Sequence, residues 1–242
     1  MEEQRLFGLV GRNISYSFSK KYFTEKFKKL LIKNAEYDVF DLPQIEDISE
    51  VLTKKNLKGF NITIPYKEQI IPFLDELSDE VQKIGAVNTV LLRDGKTKGF
   101  NTDVYGFEKT LELHRKSHQN SALILGDGGA AKAVKYVFEK LNIPYKTVAR
   151  KSEINFDNLS KELVSSSTII VQCTPVGTFP NVDETLQFPF DALSNEHLVI
   201  DLIYNPTYTS FITKSSEFGA KCVNGYYMLE QQAEKAWEIW NF

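Results

Sequence analysis

The tightest constraint on the fold of this chain lies near its middle, in Leu123-Ile124-Leu125-Gly126-Asp127-Gly128-Gly129-Ala130-Ala131. An apolar run ends in three glycines and passes directly into an amphipathic stretch. A strand that turns tightly through glycine into a helix leaves the first backbone N–H groups of that helix unpaired, and together with the positive end of the helix dipole they attract an anion such as a pyrophosphate. Ala131 stands where the third glycine of the dinucleotide fingerprint often falls, and a small residue suffices there because the requirement is close helix–strand packing. Asp127 brings a carboxylate near the phosphates and has to point away from them. Backbone N–H groups at the start of this helix are therefore expected to meet a pyrophosphate.

The next apolar run ends Val148-Ala149-Arg150-Lys151. An NAD enzyme carries Asp or Glu at this place for the ribose hydroxyls, whereas two cations suit a 2′-phosphate, so the expected cofactor is NADP.

Strand and helix signals alternate along the whole chain. Before the glycine turn, Arg5–Val10, Tyr37–Leu42 and Lys58–Thr63 read as strands. Phe23, Phe27, Leu30 and Leu31 recur at helical spacing, Ile45–Lys54 reads as a helix, and Pro65 can open a short one. Val87–Arg93 and Thr97–Phe100 flank Asp94-Gly95, which favours a hairpin and so an antiparallel edge. Val104–His114 follows as a helix. From Ala122 a second series runs strand (to Leu125), helix (Ala130–Leu141) and strands at Lys146–Ala149, Thr168–Gln172 and Leu198–Asp201, before a final helix from about Tyr227 to Trp240. The fold class is α/β in two domains: one with a mainly parallel sheet, the other Rossmann-like and doubly wound.

Composition excludes several functions. With 29 basic against 32 acidic residues the net charge is −3, and no stretch concentrates Lys and Arg among aromatics, so nucleic acid is not an expected partner. The apolar stretch Leu6–Val10 is too short for a signal-peptide core or a membrane span, and a cytoplasmic location is expected. Cys173 and Cys222 lie in runs that read as buried strands, which suits small core thiols in a reducing compartment. His114 and His118 are four apart on a helical stretch, but no carboxylate completes a metalloprotease pattern. Both read as residues of a last helical turn, and no metal is expected.

Polar residues gather at the element boundaries of the first half. Gly59-Phe60-Asn61-Ile62-Thr63-Ile64-Pro65-Tyr66-Lys67 carries Asn61, Thr63 and Lys67 to a strand end, where ligands of open α/β sheets collect. Gly85-Ala86-Val87-Asn88-Thr89 and Gly99-Phe100-Asn101-Thr102-Asp103 add amides, hydroxyls and a carboxylate.

These three segments resemble the motifs of the shikimate dehydrogenase family. So do Ser15-Tyr16-Ser17-Phe18-Ser19, Gly126–Ala131, Cys173-Thr174-Pro175-Val176-Gly177, Asp201-Leu202-Ile203-Tyr204-Asn205-Pro206 and Asn224-Gly225 through Met228-Leu229 to Gln232-Ala233, in the family's order across nearly the whole chain. The resemblance implies a two-domain oxidoreductase that reduces 3-dehydroshikimate with NADPH. Residues 1–103 with 225–242 would bind substrate and residues 104–224 would bind NADP. It implies Lys67 and Asp103 as catalytic residues, Ser17, Ser19, Thr63 and Tyr204 around the substrate carboxylate, and Asn61, Asn88 and Gln232, with Asp103, on the ring hydroxyls. On the cofactor side it implies backbone contacts at Gly126, Gly128, Gly129 and Ala130, Arg150 and Lys151 at the 2′-phosphate, Thr174, Leu202, Gly225 and Met228 near the nicotinamide, and Asp79 facing the cofactor. Small molecules are the implied partners of a monomer or homodimer.

The chain departs from the family pattern at Tyr16 for histidine, Lys20 for proline, Ala149 and Gln172 for asparagine, and Thr178 for methionine. None of these positions carries the implied chemistry. Two other readings fit parts of the pattern: a quinate/shikimate dehydrogenase-like enzyme using NAD or NADP, and a non-catalytic nucleotide sensor on the same fold. Arg150 and Lys151 argue against NAD, and retention of Lys67 and Asp103 argues against the sensor.

Overall fold

The computed structural model describes residues 3–14 and 18–241. The chain divides into two compact units, Met1–Thr102 with Ala233–Phe242, and Asp103–Gln232.

The first unit contains β1 (Arg5–Gly11), α1 (Phe18–Lys29), β2 (Ala35–Asp41), α2 (Ile48–Leu52), β3 (Leu57–Ile62), β4 (Glu76–Leu77), α3 (Asp79–Ile84), β5 (Thr89–Arg93) and β6 (Lys96–Phe100). Its sheet has the order β2-β1-β3-β5-β6-β4. β1 runs parallel to β2 and β3, while β5 is antiparallel to both β3 and β6. Asp94 and Gly95 both take positive φ, 52° and 75°, the geometry of the two-residue turn that matches the twist of a hairpin.

The hairpin is not the edge that its sequence suggests. The two residues of β4 pair beyond β6, because the Asp75 carboxylate accepts from the Thr97 N–H at 2.7 Å and from its hydroxyl at 2.8 Å, holding this short segment alongside.

Side chains alternate across the sheet as the two-residue period requires. Phe7, Leu9 and Tyr37 share a cluster with Phe23 and Phe27 of α1, while Val10, Phe40, Phe60 and Ile62 share another with Ile48 and Val51. Ala233, Ala236 and Trp240 complete the first cluster, and the Trp240 indole N–H donates to the Val90 carbonyl at 2.9 Å.

Two segments expected to be helices are not continuous helices in the structure. Ile45–Lys54 forms a 3₁₀ turn at Ile45–Asp47 and then only the short α2. The segment after Pro65 is a succession of turns rather than a helix, because the Lys67 carbonyl is taken by the Val87 N–H at 2.7 Å, a tertiary bond that competes with helical pairing.

The second unit contains α4 (Thr102–His114), β7 (Ala122–Leu125), α5 (Gly129–Lys140), β8 (Tyr145–Val148), α6 (Lys161–Ser166), β9 (Ile169–Gln172), β10 (Leu198–Asp201), α7 (Ser210–Glu217), β11 (Lys221–Val223) and the first part of α8 (Tyr226–Asn241). Its strands are all parallel in the order β11-β10-β9-β7-β8. Every residue of β7, β9 and β10 is buried, which is why these strands read as unbroken apolar runs. From β7 the chain passes to β8 on one side and later to β9 on the other. The glycine turn thus sits at the point where the winding reverses, the usual ligand position of such sheets.

Three details differ from the sequence reading. Residues 225–232 count with the second unit, since Met228 and Gln232 pack over Gly106 of α4. His118 lies beyond the end of α4 and meets Glu196, while His114 alone occupies the last turn. Cys173 follows β9 and Cys222 lies in β11; both thiols are free and half-buried rather than enclosed in the core.

Candidate active site

In the first unit the carboxyl ends of β3 and β6 and the amino end of the antiparallel β5 bring several polar side chains together. Asn61, at 5% exposure, is held at both ends of its amide. Its Oδ1 accepts from the Tyr37 hydroxyl at 2.8 Å, and its Nδ2 donates to the Asn88 carbonyl at 3.2 Å and to Thr89 Oγ1 at 3.0 Å. The Asn88 Oδ1 in turn accepts from the Thr102 N–H at 2.7 Å and its hydroxyl at 3.1 Å. A buried, fully hydrogen-bonded cluster of this kind fixes the direction in which each amide faces.

Ser19, in the second position of α1, hydrogen-bonds the Tyr37 hydroxyl, which burial pushes far above its ordinary pKa while the serine contact opposes that shift. Thr63 and the half-buried Lys67 follow Asn61 directly, and the Thr63 N–H donates to the Val10 carbonyl at 2.9 Å. Asp79 is exposed in the first turn of α3, after the N-cap Ser78, a place where a carboxylate complements the helix dipole. No hydrogen bond among the described residues ties it to the Asn61 cluster. Ser17 lies outside the described residues.

In the second unit Asp103 occupies the first turn of α4 at 6% exposure. Gly126 adopts φ +110°, a conformation side chains rarely take, and an added Cβ there would lie 3.1 Å from Thr174 Cγ2. Thr174 is thereby placed against the glycine turn. The N-terminus of α5 has no side-chain cap; its first helical bond runs from the Lys132 N–H to the Gly128 carbonyl at 3.1 Å. Gly128 has nothing within 4 Å of an added Cβ. An uncapped helix start behind an open glycine fits the pyrophosphate of a dinucleotide. Asp127 is exposed, and so are Arg150 and Lys151 in the turn after β8. A phosphate can therefore reach these cations from solvent.

Leu202 lies against Gly225, where a Cβ would come within 2.1 Å of the Leu202 carbonyl oxygen. The Gly225 N–H donates to the Ile203 carbonyl at 2.9 Å. Met228 is buried on α8, and the Gln232 amide donates to the Leu229 carbonyl at 3.1 Å. Tyr204 is 37% exposed, with its hydroxyl pushed up by desolvation.

Residues 9–90 match the family model described as the shikimate dehydrogenase substrate binding domain. The shikimate dehydrogenase (NADP(+)) of Clostridium beijerinckii is 36% identical over 97% of this chain and 91% of its own. The chain belongs to the shikimate dehydrogenase family.

A second member, the shikimate dehydrogenase (NADP(+)) of Methanosphaera stadtmanae, is 33% identical over 96% of this chain and 89% of its own. The solved shikimate 5-dehydrogenase of Thermus thermophilus, in complex with NADP(H) and shikimate, superposes with a TM-score of 0.88 at 28% identity, covering 98% of this chain and 93% of that one. Among the described residues no helix is long and apolar enough to cross a membrane.

Sequence reasoning gave no role to Tyr37, Thr89 or Thr102, although the structure puts all three in contact with Asn61 or Asn88. Thr89 and Thr102 stand inside the motifs that drew attention to Asn88 and Asp103. Tyr37 carries no such signal: it is a strand residue, and only the order β2-β1-β3 places it across β1 from Asn61.

Proposed function

We propose that this chain is an NADP-dependent shikimate dehydrogenase, reversibly reducing 3-dehydroshikimate to shikimate in the formation of chorismate and the aromatic amino acids. The observation that carries this reading is Lys67, half-buried just beyond the strand end that bears Asn61, in a chain about one-third identical to shikimate dehydrogenases along nearly its full length. In this reading the first unit binds substrate and the second binds NADP. The enzyme works in the cytoplasm on small molecules, as a monomer or homodimer.

The reduced nicotinamide, when bound, would supply a hydride. The protein has to supply the proton for the oxygen, and Lys67 is the donor in reduction and the acceptor in the reverse direction. Asp103 orients the ammonium and the neighbouring hydroxyl. Ser17, Ser19, Thr63 and Tyr204 hold the substrate carboxylate. Asn61, Asn88 and Gln232 hold the ring hydroxyls, with the Asn88 amide oriented by the bonds its Oδ1 accepts from Thr102. Gly126, Gly128, Gly129 and Ala130 offer backbone to the pyrophosphate, and Arg150 and Lys151 hold the 2′-phosphate. Thr174, Leu202, Gly225 and Met228 shape the nicotinamide end. Asp79, exposed on α3, faces the cofactor.

Following the absorption of reduced cofactor with shikimate and quinate, each paired with NADP and NAD, tests the assignment. Shikimate with NADP is expected to give the highest kcat/KM. A higher value with quinate overturns the substrate, and a higher value with NAD overturns the cofactor.

A further inference from the structure

We infer that Asp201 is a positioning residue for the segment Leu202-Ile203-Tyr204, holding it in place through two hydrogen bonds from a carboxylate buried at the end of β10. The inference rests on the proposed reading that Leu202 and Gly225 face the reactive end of the cofactor and that Tyr204 faces the substrate.

Asp201 is fully buried, a costly place for a carboxylate unless its oxygens are hydrogen-bonded. Each oxygen has its own partner. Oδ1 accepts from the Ile203 N–H at 3.0 Å, and Oδ2 accepts from the Thr209 hydroxyl at 2.6 Å. The Thr209 oxygen also accepts from the Ile212 N–H at 3.1 Å as the N-cap of α7, so its proton is directed toward Asp201. The chain from 202 to 209 is thus pinned near both ends by one side chain.

The pin extends to the neighbouring loop. With its N–H held by Asp201, Ile203 turns its carbonyl to the Gly225 N–H at 2.9 Å, which brings Leu202 against the bare Cα of Gly225. On the adjacent strand the buried Gln172 does the same for its own loop: its Oε1 accepts from the Thr174 N–H, and its Nε2 donates to the Val176 carbonyl at 3.2 Å. Adjacent strands β9 and β10 therefore each end in a buried polar side chain that folds forward to hold the loop after it.

A dinucleotide gains most of its affinity from its phosphates, whereas turnover depends on the placement of its reactive ring. Loss of the Asp201 pin should therefore lower kcat and leave NADP binding nearly intact. In Asp201→Ala, kcat is expected to fall about tenfold or more, with the NADP dissociation constant within about threefold of the parent and a binding stoichiometry near one, which rules out a merely unfolded fraction. Asp201→Asn keeps an acceptor for the Ile203 N–H and should recover most of the loss.

Gly225→Ala, which forces Leu202 away, provides the comparison. Parental kcat in Asp201→Ala together with a large loss in Gly225→Ala overturns the positioning role and leaves the cofactor reading standing. Parental kcat in both overturns the cofactor reading of this surface and the inference with it. If Asp201→Ala does not fold, Thr209→Val decides: a loss of about threefold or more at full stoichiometry supports the role, and an unchanged kcat overturns it.

Discussion

The hydroxyl of Tyr37 donates to Oδ1 of Asn61 at 2.8 Å, reaching over β1 to join two strands that are not neighbours in the sheet. Because Asn61 Nδ2 is already engaged with Asn88 and Thr89, this bond determines which way the amide faces. Tyr37→Phe keeps the ring stacked on Phe23 but strands a buried acceptor, which costs about 1–3 kcal/mol. Denaturant unfolding should show that loss. The KM for shikimate should rise with little change in the KM for NADP; equal changes in both would contradict a substrate-side role for Asn61.

Asp201 predicts an unusual dependence of stability on pH. Burial pushes its carboxyl up to about 6, against the opposing hydrogen bonds from Thr209 and Ile203. Since the folded value lies above the unfolded one, its favourable contribution is complete in acid and is lost as pH rises through about 6. Asp201→Asn removes this titration, so the variant's stability relative to the parent should improve by roughly 2 kcal/mol between pH 4 and pH 7. Cys173 and Cys222, the titratable neighbours coupled to Asp201, are also pushed upward by burial and stay neutral throughout that range. Parallel stability curves for parent and variant would show that Asp201 does not titrate there.

Arg150 and Lys151 are exposed, and their replacement should leave the fold unaffected. If they hold the 2′-phosphate, the double variant to Ala loses charge-assisted contacts worth about 1.5–3 kcal/mol each, so the KM for NADP should rise steeply while that for NAD barely moves. Equal weakening of both cofactors would move the 2′-phosphate elsewhere.

The second unit was the more legible part of the fold. Its strands are buried on both faces, so they appear as uninterrupted apolar runs, and Leu198–Asp201 coincides with β10. Elements held by tertiary contacts were hidden. β4 exists through Asp75 and Thr97, and the turns after Pro65 replace a helix because Val87 takes the Lys67 carbonyl. The candidate site was legible where residues cluster within one motif, as Asn61, Thr63 and Lys67 do. Tyr37 and Thr209 were silent because their partners lie on other elements, at distances along the chain that no local pattern records.

The most direct measurement of the central assignment is the turnover of purified Lys67→Ala protein at saturating shikimate and NADP. If Lys67 carries the proton, kcat should fall by about a hundredfold or more, the scale of a positioned acid or base. NADP affinity should be nearly unchanged, and shikimate affinity should weaken only by a lost hydrogen bond, about 1–2 kcal/mol. Turnover within about threefold of the parent, in protein that still binds NADP, would contradict the assignment of Lys67 as the proton donor.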